Sequence, residues 1–142
     1  MADASGAPPD HNPSPFMETI GGELETWEEG RVVMSLPLEA KHMNPRNILH
    51  GGVLMTLMDE AAGAVVASAR GLDAMKAQPH ATVDMNVSFL SGAVPGDVVD
   101  CEAKTLRVGR SVCFAEVAVR NRATGRLVAQ GRFTFAVIKG HA

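Results

Sequence analysis

Residues 52–70 run for nineteen positions with almost no polar side chain, yet Asp59 and Glu60 stand near the middle. Such a stretch reads as a helix that must be buried, and a buried carboxylate is costly unless paired, protonated or in use. His50-Gly51-Gly52 leads into it. Upstream, residues 16–20 read as a short helical turn closed by Gly21-Gly22. Residues 23–28 and 31–38 read as two strands about Glu28-Glu29-Gly30, with Val32, Met34 and Leu36 on one face. A loop over 39–49 carries Asn44-Pro45. Downstream, 71–79 reads as a connector, and 80–90 gives the cleanest alternation in the chain. Val83, Met85, Val87 and Phe89 point one way there, and Thr82, Asp84, Asn86 and Ser88 the other. Turn signals at Pro95-Gly96-Asp97, Val108-Gly109-Arg110 and 121–125 then separate strands over 98–107, 111–120 and 126–138.

The order is two strands, one helix, four strands. Short turns imply antiparallel neighbours, so the last four strands are expected to form a meander. A single apolar helix among so many strands must be wrapped by the sheet. That is an α+β architecture, since one helix cannot supply the crossovers of a parallel sheet. The 142 residues make one domain over 16–142, preceded by a polar, Pro-rich tail over 1–15 expected to be disordered and unlike a signal peptide.

Composition narrows the function classes. A net charge of −3 is too mild for a nucleic-acid partner, and no apolar run reads as approaching the ~20 residues of a membrane span. Cys101 and Cys113 lack metal-ligand spacing and read as reduced core thiols of a cytoplasmic protein. Over 101–142 there are eight Lys/Arg against two acids, an excess suited either to a phosphorylated ligand or to solvent-facing strand edges that resist aggregation.

The helix entry suggests chemistry at a carbonyl. Gly51 and Gly52 stand at a helix N-terminus, where unpaired N–H groups and the macrodipole can hold a developing oxyanion. Asp59 follows Gly51 by eight residues, or roughly 12 Å along the axis. A reacting carbonyl needs both groups within about 3 Å. One chain cannot supply both, but two antiparallel copies of the helix can, which places active sites at a two-fold interface.

The run His42-Met43-Asn44, then Leu49-His50-Gly51-Gly52-Val53-Leu54-Met55-Thr56-Leu57-Met58-Asp59, resembles the signature of hotdog-fold acyl-CoA thioesterases. The phenylacetic-acid-degradation type, akin to 4-hydroxybenzoyl-CoA thioesterases, is the nearest group. The resemblance continues through residues 82–89 and 123–131 and covers roughly 20–138. It implies a curved antiparallel sheet of five to six strands around one central helix, assembled as homodimers and often homotetramers. It implies Asp59 as nucleophile or general base, the Gly51 N–H as the carbonyl-polarising donor, and Asn44 as the amide that places substrate or water. His50 would support the loop and the thioester, and Thr82 would sit near the acid. Gly52 belongs to the same substrate-binding entry, and Arg107, Arg110 and Ser111 lie where such proteins often bind the nucleotide part of coenzyme A. No metal or redox cofactor is implied, and the partner is an acyl-CoA substrate.

Two other functions compete. One is a non-catalytic acyl-CoA-binding or sensing protein, which has no need of a buried acid. The other is a hydratase or dehydratase, which pairs a histidine with an acid. His11, His42, His80 and His141 read as scattered surface residues, and Glu60, ~100° around the helix from Asp59, as structural or a partner on the water side.

Overall fold

The computed structural model describes residues 5–8 and 11–139, so His141 lies outside the described residues. Ser14 opens the first helix, α1 (Pro15–Ile20). Its Oγ accepts from the Met17 N–H, Pro15 stands where a helix needs no donor, and Gly21 closes the turn at φ 84°. Strands β1 (Glu23–Glu28) and β2 (Arg31–Pro37) follow, then a 3₁₀ turn at Ala40–His42. The long helix is α2 (Gly51–Arg70), and α3 (Leu72–Ala77) comes directly after it. Residues 71–79, read as a connector, therefore hold a helix of their own. The remaining strands are β3 (His80–Phe89), β4 (Val98–Val108), β5 (Val112–Asn121) and β6 (Leu127–Val137). The stretch read as a tail, 1–15, is described in part. Within it the Ser5 carbonyl accepts from the Trp27 N–H at 2.6 Å, and Ser14 bonds to Glu60.

All six strands make one antiparallel sheet in the order β1-β2-β4-β5-β6-β3, wrapped about α2 as the strand and helix pattern required. The meander is a different matter. Consecutive pairing holds for β4, β5 and β6, but β3 lies beyond β6 at the edge opposite β1. Residues 90–97 carry the chain across. The turn at Pro95-Gly96-Asp97 closes on Leu38, whose N–H and carbonyl bond to Asp97 and Gly96, and so makes no hairpin. A turn signature reports local dihedral angles and not which strand comes next in the sheet.

Apolar side chains of α2, among them Leu54, Leu57, Met58, Val65 and Val66, pack against Val32, Met34, Leu36, Val99, Ala115, Val117 and Phe133 of the sheet. Burying one side chain of this size contributes about 1.5–3 kcal/mol. Ala61 and Ala62 are fully buried in the same helix and let the strands come close. Contrary to the expectation from the sequence, α2 does have the length and apolarity of a membrane span; half of its apolar stretch is buried inside the domain, as in a core helix. Both cysteines are buried and unbridged, and burial drives the Cys101 thiol pKa up.

Part of the basic excess is structural. Arg122 bridges Asp100 at 2.7 Å and Glu25 at 3.1 Å, and Lys104 lies 3.5 Å from Glu102. The Ser35 hydroxyl, then Arg122, hold the Glu25 carboxyl below its usual range.

A bulge in β3 decides what reaches α2. Thr82 pairs with Phe135 and Asp84 with Thr134, so Val83 has no partner and is 61% exposed. The extra residue shifts the alternation by one. Thr82 therefore faces α2, on the same side as Met85 and Val87, and not with Asp84, Asn86 and Ser88 as strict alternation required.

Candidate active site

Asp59 sits on the third turn of α2, half-buried, with its Oδ1 accepting from the Thr82 hydroxyl at 2.7 Å. That bond exists because of the bulge. Both residues line a cavity of about 500 Å³ between α2, α3 and the β3–β6 edge. Glu60, Gly63, Ala64, Ala67, Leu72, Met75, His80 and Phe135 complete most of its wall. Ala67, Leu72 and Met75 give the wall apolar surface where α2 meets α3, with the charged Lys76 on the same short helix.

The entry to α2 is built to leave one donor open. His50 is the N-cap, and its Nδ1 accepts from the Gly52 N–H at 2.9 Å. The His50 carbonyl takes the N–H groups of Val53 and Leu54. Among the described residues, only the Gly51 N–H in this turn finds no acceptor. The two glycines thus divide the work: Gly52 closes the cap, and Gly51 presents a donor at the positive end of the helix. The ring of Phe89 lies against Gly51, 3.4 Å from where a Cβ would stand.

Asn44 shapes the loop before this turn. Its Oδ1 accepts from the Arg46 and Ile48 N–H groups at 2.9 and 3.3 Å, and the backbone pair between Asn44 and Ile48 closes the loop. Its side-chain N–H₂ is the part left to meet a ligand.

Two histidines are not the surface residues expected. His42 is 1% exposed: Nδ1 accepts from the Glu39 N–H at 2.9 Å and Nε2 donates to the Ile20 carbonyl at 2.6 Å, tying the loop to α1. The half-buried His80 donates from Nε2 to the Gly63 carbonyl at 3.0 Å, and its Nδ1 faces Arg70 at 3.1 Å. No local pattern marks His80, whose partners lie ten and seventeen residues back, whereas His42 has one partner three residues away and the other twenty-two. Burial, with Arg70 adding to it, lowers the His80 pKa below 6.5, opposed by the bond to Gly63. Here Arg70, Lys76, Asp59 and Glu60 are the charged groups around the ring.

A stability prediction follows from that shift. An unfolded chain binds a proton at His80 first, so stability is full above pH 6.5 and declines as pH falls toward the lowered folded value. Glu25 and Glu102, both lowered, act only below about 4.5. Between pH 6.5 and 4.5 the melting temperature of the wild type is expected to fall, with a flatter profile for His80→Gln. Parallel profiles in a thermal-melt series would show that His80 does not carry the dependence.

Arg107, Arg110 and Ser111 occupy the tip of the β4–β5 hairpin, at the end of the sheet where β3 begins and β6 stops. Gly51 and Phe89 are at the opposite end. Ser111 Oγ accepts from Lys139 Nζ at 2.7 Å. A single chain thus brings Asp59 and Thr82 together, sets Gly51 roughly 12 Å away along α2, and keeps Arg107 and Arg110 out of the wall of the Asp59 cavity.

A six-stranded antiparallel sheet wrapped about one long helix defines a hotdog-fold protein. The chain belongs to the thioesterase superfamily, whose family model matches residues 46–129. It is 36% identical over 106 residues to human acyl-coenzyme A thioesterase 13, covering 74% of this chain and 71% of that one. Among solved structures it resembles zebrafish thioesterase superfamily member 2, at 31% identity and a TM-score of 0.78, covering 87% of this chain and 88% of that one. A hypothetical thioesterase of Streptococcus pneumoniae, solved with coenzyme A, matches at 26% identity and a TM-score of 0.75, covering 86% and 89%.

Proposed function

We propose that this chain hydrolyses acyl- or aroyl-CoA thioesters to the free acid and coenzyme A in the cytoplasm, with Asp59 at the reacting carbonyl. The observation that carries the reading is the Asp59 carboxylate, held by Thr82 at 2.7 Å in a cleft whose wall also offers the apolar surface of Ala64, Ala67, Leu72 and Met75. In the general-base route, water adds to the thioester carbonyl carbon while Asp59 takes its proton. In the nucleophilic route, the carboxylate adds and water then opens the resulting anhydride. Either way the carbonyl oxygen becomes an oxyanion, and the Gly51 N–H of a partner chain is the donor assigned to it. The C–S bond then breaks. A thiol is acidic enough to leave as thiolate, so little protonation is needed.

The dimer required by the separation of Gly51 and Asp59 has a candidate seam in β3. This strand is an edge of the sheet and exposes Val83, Met85 and Phe89, with Leu90 just beyond. A tetramer built from two such dimers is the larger assembly we assign, and Arg107, Arg110 and Ser111 are the groups assigned to the nucleotide phosphates.

The hydratase reading loses its base. His80 is in the cleft, but Nε2–H is committed to Gly63 and Nδ1 to the Arg70 guanidinium, so no lone pair is free to abstract a proton. A panel of acyl- and aroyl-CoA esters, assayed for released thiol, is expected to show turnover, and an enoyl-CoA no hydration. Hydration without thiol release would replace this reading, and tight binding without either would favour the sensing function.

A further inference from the structure

Glu60 is not explained by the reaction, yet it sits in the same cleft. Its two carboxylate oxygens reach back 46 residues to Ser14, accepting from the backbone N–H at 3.2 Å and from the hydroxyl at 3.0 Å. Ser14 Oγ also caps α1, which is anchored in the core by Met17 and Ile20. At the other end of this short strap, the ring of His11 lies tilted at 48° against Trp27, with the ring centroids 4.6 Å apart. Trp27 stands three residues before Gly30, whose N–H donates to Ser68 on the last turn of α2. Residues 11–14 thus run alongside α2 from Glu60 toward its C-terminus, and His11 and Asn12 form part of the cavity wall.

The same cavity wall holds Ala67, Leu72 and Met75, with Lys76 on the same helix as the last two. From Asp59 to Ala67 is eight helical residues, about 12 Å. Gly63, Ala64 and Ala67 keep the α2 side of that distance low, and Leu72 and Met75 of α3 cover its end. A carbonyl held at Asp59 would send an extended apolar chain along this path, between α2 and the strap.

We propose that Glu60 is a positioning residue for acyl-chain specificity: through Ser14 it holds residues 11–14 as the side wall of the acyl end of the cleft. This rests on the thioesterase reading above. Short acyl groups end near Asp59 and do not reach the strap, whereas chains that extend toward α3 are held by it. Loosening the strap weakens binding of the longer chains selectively.

The test compares butyryl-, octanoyl- and dodecanoyl-CoA on the full chain, with Glu60→Ala, Ser14→Ala and the double variant, all checked for an unchanged dimer and melting transition. The octanoyl-to-butyryl ratio of kcat/KM is expected to fall about tenfold in each single variant, through KM and not kcat. The double variant should lose no more than either single one, because both break one connection. Glu60→Gln, whose side-chain oxygen still accepts from Ser14, should restore part of the ratio. Equal losses on all three esters, additive losses, or a fall in kcat alone would overturn the proposal. If a variant fails to fold, the other single variant decides. Wild-type chain that releases no thiol from any ester would overturn the thioesterase reading itself, a result distinct from active enzyme with an unchanged ratio.

Discussion

Asp59→Asn is expected to lower kcat for thioester hydrolysis by about 10²–10⁴-fold, the usual weight of a positioned acid or base. The fold should survive, because asparagine is nearly isosteric and its side-chain oxygen still accepts the Thr82 hydroxyl now bonded at 2.7 Å. The loss should appear in kcat with KM nearly constant, since the carboxylate acts on the reacting carbonyl and not on the coenzyme A body. Stopped assays of released thiol, beside a melting curve for each protein, measure both. Full turnover by Asp59→Asn would remove Asp59 from the chemistry and leave the cleft as a binding site.

Mixed dimers give the second large effect. Gly51→Pro deletes the one open N–H of the helix entry. Position Gly51 is the first residue of α2, where proline is tolerated. The residue before it, His50, already has the extended ψ of 131° that a following proline demands. The added carbon meets the Phe89 ring at an ordinary contact distance of 3.4 Å. This variant should therefore fold and lose about 10²–10³-fold in kcat, the effect of one oxyanion donor. Asp59→Ala should be inactive for a separate reason. Co-refolded in equal amounts, the two inactive chains are expected to recover about a quarter of wild-type activity. Half the dimers are then mixed, and one of the two sites in each has both an intact Asp59 and an intact Gly51. Proven mixed dimers without activity would mean that each chain completes its own site.

The separation of Gly51 and Asp59 was legible in the sequence because it depends only on helical rise within one continuous element. Other parts of the cleft were not. Val83 and its neighbours keep an apolar-polar alternation, so nothing local shows that one residue drops out of register and turns Thr82 toward the acid. His80 has its partners at Gly63 and Arg70, on a different element. Glu60 looked like a spare acid one position from Asp59, and its tie to Ser14 spans 46 residues. The helix α3 hid in a six-residue run too short for a periodic signal.

By itself, the sequence determined the long helix, the six strand segments, and an acid set two turns inside a glycine-led helix start. These are properties of neighbouring residues: periodicity, turn chemistry and rise per residue. The tertiary structure decided that β3 joins the edge beside β6, that a bulge puts Thr82 on Asp59, that His50 takes the Gly52 N–H and leaves that of Gly51 open, and that Glu60 holds Ser14. Most of these contacts join groups far apart in the chain. Even the His50 cap requires a side-chain rotamer fixed only by folding, so each was settled when the sheet closed around α2.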